Sequence, residues 1–525
     1  MNQNSNKTST QFYPYLWKLY HIYDSTLYTL FNMDDIHQIH FIEQLNRSSS
    51  TESIILTSKY LRTNSLHIQR SILNDSNVST AFDEDDHIRH YSTKTPYENP
   101  SHEYRLSSTP IGYKPVCVQL LARHGSRTLT CHDYDLQTLR IWQLAKQKNM
   151  LTSLGEQLKE DIERFMDANN SLGRGELTEL GKTEHIGIGE RLYSRFQSLF
   201  TSSNTIHVMT SGKKRAMDSA EHFLSGLTKS QSNLQISNQN PNKNLLYFHK
   251  ICSRYMDFKK NDLHIRTKLN TIKNSEQTKI LAQQVLQRIY QNEFVNLLIN
   301  GKYENALSNE NIDSFNETKK TNEINVVLWL YNMFSIAPAL NESHSIKILA
   351  KYFNQEESKW FAYINDAQEF YIKGPSIEGR TVTYDMAKPL LIDFFSSIDT
   401  CIEHPNKTIA GHLRFAHAET IIPFTSLLQI PGLSDQAVDR NDIYTYENNH
   451  WRGAQVSSMA ANLQWEIYQH EDDPHQILVR MLYNEREVRF KNDCQSITPN
   501  SYFYDLNELK RSYGNSLLSS VSEKN

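Results

Sequence analysis

Apolar residues in this chain fall into short continuous runs and into longer runs with a period near 3.6. Val116–Thr130 reads VCVQLLARHGSRTLT, and its first half is an apolar run behind Pro115, the pattern of a buried strand. The same kind of run, stopping abruptly at polar residues, recurs at Thr205–Thr210 (TIHVMT) and Ile409–Phe415 (IAGHLRF). Helical spacing follows each of the three. It covers Leu136–Asp167, with Trp142, Leu144 and Leu151 on core faces, then Ala216–Leu227, then Thr420–Leu428. Leu177–Gly181 (LTELG) opens another helix through Phe200, with Thr178 as N-cap and Leu180, Ile188, Leu192 and Phe196 as its apolar stripe. Ala460–Tyr468 and Leu478–Glu485 read as closing strands and Tyr502–Tyr513 as a last helix. Repeated strand–loop–helix units predict an α/β fold: a doubly wound, mostly parallel sheet flanked by helices.

From Leu263 to Asp399 the patterns are helical, at Ile280–Ile299, Val326–Phe334, Ile346–Lys373 and Met386–Ile398, and no chemistry motif stands out. This stretch reads as an inserted helical lobe that walls the site. Ser230–Asn244 and Asn300–Asn322 read as polar loops. The expected organisation is an N-terminal extension over 1–90, an α/β core from 91–229 and 400–515, a helical lobe over 230–399 and a tail over 516–525. Phe12–Phe31 is dense in aromatics and leaves two readings open, a helix packed on the main body or an interfacial segment touching a membrane. Asn46–Asp86 reads as a loosely ordered linker.

Composition narrows the partners. With 525 residues the chain exceeds one simple core. Its net charge of -4 gives no global field for nucleic acid or anionic lipid, so any anion site has to be built locally. Five scattered cysteines, Cys117, Cys131, Cys252, Cys401 and Cys494, form no CxxC pair, so metal binding is unsupported; no cofactor is expected either. Cys117, inside a strand, reads as a small buried hydrophobe, with disulfide pairing left open. No stretch reads as a membrane span, and Met1–Thr10 is polar, unlike a signal peptide. Sequons at Asn6, Asn46, Asn74, Asn77, Asn169, Asn316, Asn341 and Asn406 point toward the secretory pathway.

The chemistry lies where the three runs end. Arg123-His124-Gly125-Ser126-Arg127 puts an imidazole between two guanidinium groups, whose charge keeps it neutral and nucleophilic while their forks suit phosphate. Ser211-Gly212-Lys213-Lys214-Arg215 opens a helix, where free N–H groups favour an anion. Ala416-His417-Ala418-Glu419 leaves the third run with a histidine and a carboxylate two apart.

These motifs resemble the histidine acid phosphatases of the histidine phosphatase superfamily, whose signature is R-H-G-x-R-x-P. Leu129 stands where that family usually has proline. Ser211, Arg215, Ser219 and Ala220 match a second family pattern. The His417-Ala418-Glu419 variant and the Thr93–Tyr97 opening (TKTPY) resemble the multiple inositol polyphosphate phosphatase branch. The resemblance runs from about Tyr91 to about Tyr513. It implies a phosphoglycerate mutase-like fold and a phosphohistidine on His124. Arg123, Arg127, Arg215 and His417 would grip the phosphoryl oxygens, and Glu419 would act as acid and then base. Lys94, Lys213 and Lys214 are candidates for further phosphates. The implied partner is a small phosphorylated molecule, an inositol polyphosphate or 2,3-bisphosphoglycerate, in the endoplasmic reticulum lumen or outside the cell. Activity is expected at mildly acid to neutral pH. The rival readings are a broad acid phosphatase and a non-catalytic phospho-ligand binder.

Overall fold

The computed structural model describes residues 90–130, 133–303, 321–340, 345–403 and 409–518. Phe12–Phe31, Asn46–Asp86, Cys131 and every sequon except Asn169 lie outside the described residues.

The first apolar run becomes strand β1 (Tyr113–Arg123), the middle of an eight-stranded sheet. It starts two residues before Pro115. The proline sits where the pairing with β5 shifts register, the place in a sheet that tolerates a missing N–H. β2 (Thr205–Thr210), β3 (Gln235–Asn238) and β4 (Ile409–Ala416) follow, then β5 (Asn462–His470), β6 (Ile477–Tyr483), β7 (Arg486–Val488) and β8 (Phe503–Asp505). The strand order is β3-β2-β4-β1-β5-β6-β7, with β8 beside β6. β3, β2, β4 and β1 are parallel, whereas the pairings beyond β1 are antiparallel, so the sheet is mixed. β3 lies within Ser230–Asn244, so the sheet extends into the stretch expected to be a loop.

Helices cover both faces. α1 (Asp133–Gln147) and α2 (Ser153–Ser171) come from the single helical run after β1; Thr152 caps α2 and divides them. α3 (Glu179–Arg195) and α4 (Lys214–Thr228) pack one face, where Ile188, Leu192, Ala216, Ala220 and Phe223 meet Val118, Leu120, Ala122, Ile206 and Leu413. The insert holds α5 (Ser253–Asn261), α6 (Leu263–Lys273), α7 (Glu276–Ile289), α8 (Asn292–Ile299), α9 (Glu323–Ile336) and α10 (Gln355–Lys373). α1 packs on α9 and α2 on α7, so two insertions build the helical lobe. α11 (Lys388–Glu403) and α12 (Ala418–Leu428) pack on β1. Phe394 of α11 meets Trp465 and Phe424 at ring distances of 5.2 and 5.0 Å. α13 (Leu506–Leu518) closes the described chain.

Two expectations change. Cys117 is disulfide-bonded to Cys401, tying β1 to α11. Glu323–Leu340 reaches the length and mean hydropathy (1.2) of a membrane span, but 94% of it is buried inside the protein, as suits a core helix.

Parallel pairing aligns the carboxyl ends of three strands. Arg123 lies opposite Ala416, and Thr210 opposite Phe415. The three chemical motifs therefore leave one edge of the sheet side by side, at the point where the strand order reverses.

Candidate active site

The turn after β1 is held from every side. His124 donates its N–H to Ala416 O at 3.0 Å and accepts from Ala460 N at 3.0 Å. Gly125 N donates to Ser219 Oγ at 3.1 Å. A Cβ on Gly125 would sit 2.5 Å from Gly181 O, and one on Gly181 would sit 2.2 Å from Ser126 O. The LTELG element thus packs directly behind the Arg123–Arg127 turn, and only glycines allow that approach. Glu184 of α3 accepts from Ser126 N and Ser126 Oγ, both at 2.7 Å, and from Tyr97 N at 2.9 Å. His185 donates from Nε2 to Arg123 O at 3.1 Å. Leu129, in the place of the family's proline, donates its N–H to Asn169 Oδ1 at 2.6 Å, a bond that proline cannot make. Asn169 is fully buried, so this sequon offers no room for a glycan.

The His124 imidazole donates from Nδ1 to Gly125 O at 3.0 Å, since a carbonyl can only accept. Nε2 is left with its lone pair. Burial, then the charges of Arg123 and Arg215, hold the imidazole's pKa well below 6.5. Arg123 is itself buried, which lowers its pKa to about 10, and its guanidinium donates to Thr93 O and Ser457 O. Both acceptors sit on segments pinned by one buried carboxylate. Asp366 of α10 bonds Ser92 Oγ, Tyr446 Oη and Gly453 N. Arg127 pairs its backbone with Leu177 and, like Arg215, acts on His124 through its charge.

At the second strand end Ser211 Oγ lies 2.8 Å from His417 Nε2. The rings of His417 and His124 are 5.4 Å apart. Burial, then Arg215, depresses the His417 pKa to about 3, so this imidazole is neutral too. Arg123 Nε, Arg215 Nε and His417 Nδ1 are buried with no hydrogen-bond partner among the described residues, a capacity that an anion's oxygens can satisfy.

Glu419 stands in the first turn of α12. Its Oε1 is 3.3 Å from Lys373 Nζ at the end of α10, and Lys373 also holds Glu369 Oε2 at 2.6 Å. Burial alone would raise the Glu419 pKa; Lys373, His249 and His417 outweigh it and hold the carboxyl well below 4.5. The largest lowering charge is this lysine. His249 is buried and its pKa is lowered to about 4, first by burial.

The extra lysines separate. Lys94 Nζ is engaged with Asn332 Oδ1 (2.6 Å) and Ser335 Oγ (3.1 Å) of α9. Lys214 Nζ is engaged with Glu176 and Asp218, both at 2.7 Å. Lys213 is exposed and sits 5.2 Å from the centre of the Tyr247 ring, which is itself 5.3 Å from the His417 ring. Among the described residues no group of three or more His, Cys, Asp or Glu side chains is placed to hold a metal ion.

The family model for branch 2 of the histidine phosphatase superfamily matches residues 116–484. The chain belongs to this branch. It is similar to the multiple inositol polyphosphate phosphatase of Bifidobacterium longum. The structure of that protein with inositol hexasulfate shares 32% identity, with a TM-score of 0.74, covering 81% of this chain and 97% of that one. Its complex with phosphate gives the same TM-score, 0.74, at 31% identity, covering 82% and 98%. Multiple inositol polyphosphate phosphatase 1 of Gallus gallus is 21% identical over 343 residues, 63% of this chain and 69% of that protein. Within this branch-2 phosphatase, Lys373, Glu369 and Asp366 carry no motif, and sequence reasoning passed over them.

Proposed function

We propose that this phosphatase removes phosphates from inositol polyphosphates through a phosphohistidine on His124. The observation that carries the reading is the convergence of a neutral imidazole, its Nε2 free, with Arg123, Arg127 and Arg215, and with Glu419 on the neighbouring strand end. Nε2 attacks phosphorus in line while the arginines spread charge over the three equatorial oxygens. The bond to the leaving alkoxide breaks, and Glu419 gives that oxygen its proton. The resulting carboxylate takes a proton from water, which cleaves the phosphohistidine, releases inorganic phosphate and restores the neutral imidazole.

Several cations favour a substrate with more than one phosphate. Lys373 and Lys259 share the field of Glu419, and Lys213 sits beside Tyr247. The relatives named above act on inositol polyphosphates according to their names. 2,3-Bisphosphoglycerate is a second substrate of matching charge. kcat/KM for phytate is expected to exceed that for p-nitrophenyl phosphate by at least about tenfold, because one charge-assisted contact contributes about 1.5–3 kcal/mol. Initial rates of phosphate release measure this, and an equal or reversed preference would favour a broad acid phosphatase. The Cys117–Cys401 bond supports maturation in an oxidising compartment such as the endoplasmic reticulum lumen.

A further inference from the structure

Glu419 poses a chemical problem. A leaving alkoxide needs its proton, yet the groups around the carboxyl keep it ionised before substrate arrives. The titratable and charged groups that face the carboxyl come from several elements: Lys373 on α10, His249 in the segment before α5, Lys259 and Tyr255 on α5, His417 on its own turn and Arg123 at the end of β1. Lys373 makes the ion pair. Lys373 is buried, and its ammonium is shared between two carboxylates, Glu369 Oε2 at 2.6 Å and Glu419 Oε1 at 3.3 Å. The shorter contact is an i, i+4 pair on its own helix, so Glu369 anchors the ammonium to α10. The longer contact, to Glu419, is the one that costs least to give up.

We propose that Lys373 is a positioning residue for Glu419 and couples phosphate binding to protonation of the acid: its ammonium restrains Oε1 in the empty site, and an incoming phosphate draws that ammonium to itself and leaves the carboxylate to take a proton from solvent. A phosphate monoester near neutral pH carries more charge than one carboxylate, so it competes well for a shared cation. The substrate's own negative charge then acts on Glu419 in the same direction as the loss of the lysine. Once the alkoxide has left with the proton, the carboxylate returns to Lys373 in the form needed to activate water. One lysine on the helical lobe thus serves both half-reactions through the protonation state of Glu419. This inference rests on the role given to Glu419 above.

The test is a titration of the Glu419 carboxyl by 13C NMR. Its signal is assigned by difference from Glu419→Gln, in wild type, Lys373→Met and Lys373→Arg, with and without inorganic phosphate. A cation within 4–6 Å lowers a carboxyl midpoint by about 1–3 pH units. In Lys373→Met the midpoint is therefore expected about 1 unit or more higher, with the alkaline limb of kcat moved up alike. Phosphate should raise the midpoint in wild type and add less in the methionine variant. Lys373→Arg should restore wild-type behaviour, whereas a merely structural lysine would lower kcat without moving either midpoint. An unmoved midpoint in Lys373→Met overturns the proposal. If that variant does not fold, Glu369→Gln decides: freeing the ammonium from its anchor should lower the Glu419 midpoint, and no change overturns the proposal. Full turnover in Glu419→Gln would instead remove the acid role while the Lys373–Glu419 coupling stood, so the two failures are distinguishable.

Discussion

Replacing His124 with alanine is expected to lower kcat by about four orders of magnitude or more, while inorganic phosphate still binds. In the proposed mechanism the imidazole supplies the attacking lone pair, and Gly125 O fixes which nitrogen carries it. The guanidinium groups that would hold the anion are set independently of the ring, Arg123 by Thr93 O and Ser457 O, and Arg127 in part by Thr128 O. The neutral ring contributes little to ground-state binding of an anion, so steady-state phosphate release should collapse while calorimetric phosphate affinity stays within a few-fold. Turnover within tenfold of wild type would remove His124 from the mechanism. The pH dependence follows from the sign of the shift. A histidine pKa lowered by burial and arginines keeps the free base populated well below pH 6.5, so protonation of His124 does not limit kcat/KM in mildly acid solution.

Glu419→Gln should cost about 10²–10⁴ in kcat on phytate, since it removes both the proton donor and the later base. The loss divides by leaving group. An inositol alkoxide cannot depart without a proton, whereas p-nitrophenolate can, so transfer to His124 from p-nitrophenyl phosphate should be much less affected. Hydrolysis of the phosphohistidine still lacks its base, and a burst of p-nitrophenol followed by slow turnover is the expected time course. A uniform loss on both substrates without a burst would place Glu419 in binding. An activity maximum at mildly acid to neutral pH is expected from the same carboxyl, which is held well below its usual range in the empty site and needs the substrate's charge to take up the proton of the first step.

Much of this arrangement was legible in the sequence because the chemistry sits at strand ends. An apolar run that stops at Arg123-His124-Gly125, at Ser211 or at Ala416-His417 marks both the strand and the edge where ligands bind, and parallel register does the rest. What stayed hidden was charge placement across the fold. Lys94 and Lys214 looked like free cations on a turn, but Asn332, Ser335 and Glu176 approach them from distant sequence, and Asp218 meets Lys214 from one helical turn on. Asp366, Glu369 and Lys373 fall at i, i+3 and i+7 on α10, a spacing indistinguishable from an ordinary polar helix face. Only the packing of α10 against the 91–97 segment, the 453–459 segment and α12 turns that face toward Arg123 and Glu419. Glu184 and His185 are similar, two ionisable residues in a capped helix that become buried supports of the Arg123–Arg127 turn. The Cys117–Cys401 bond joins residues 284 apart, which no local spacing encodes.

The central claim is a covalent phosphoryl group on one nitrogen of one histidine, and 31P NMR of protein quenched in alkali during phytate turnover tests it most directly. The account predicts a phosphohistidine substituted at Nε2, absent from His124→Ala, because Nδ1 is committed to Gly125 O. A phosphoryl group on Nδ1, on another residue, or on no residue while turnover proceeds would contradict it.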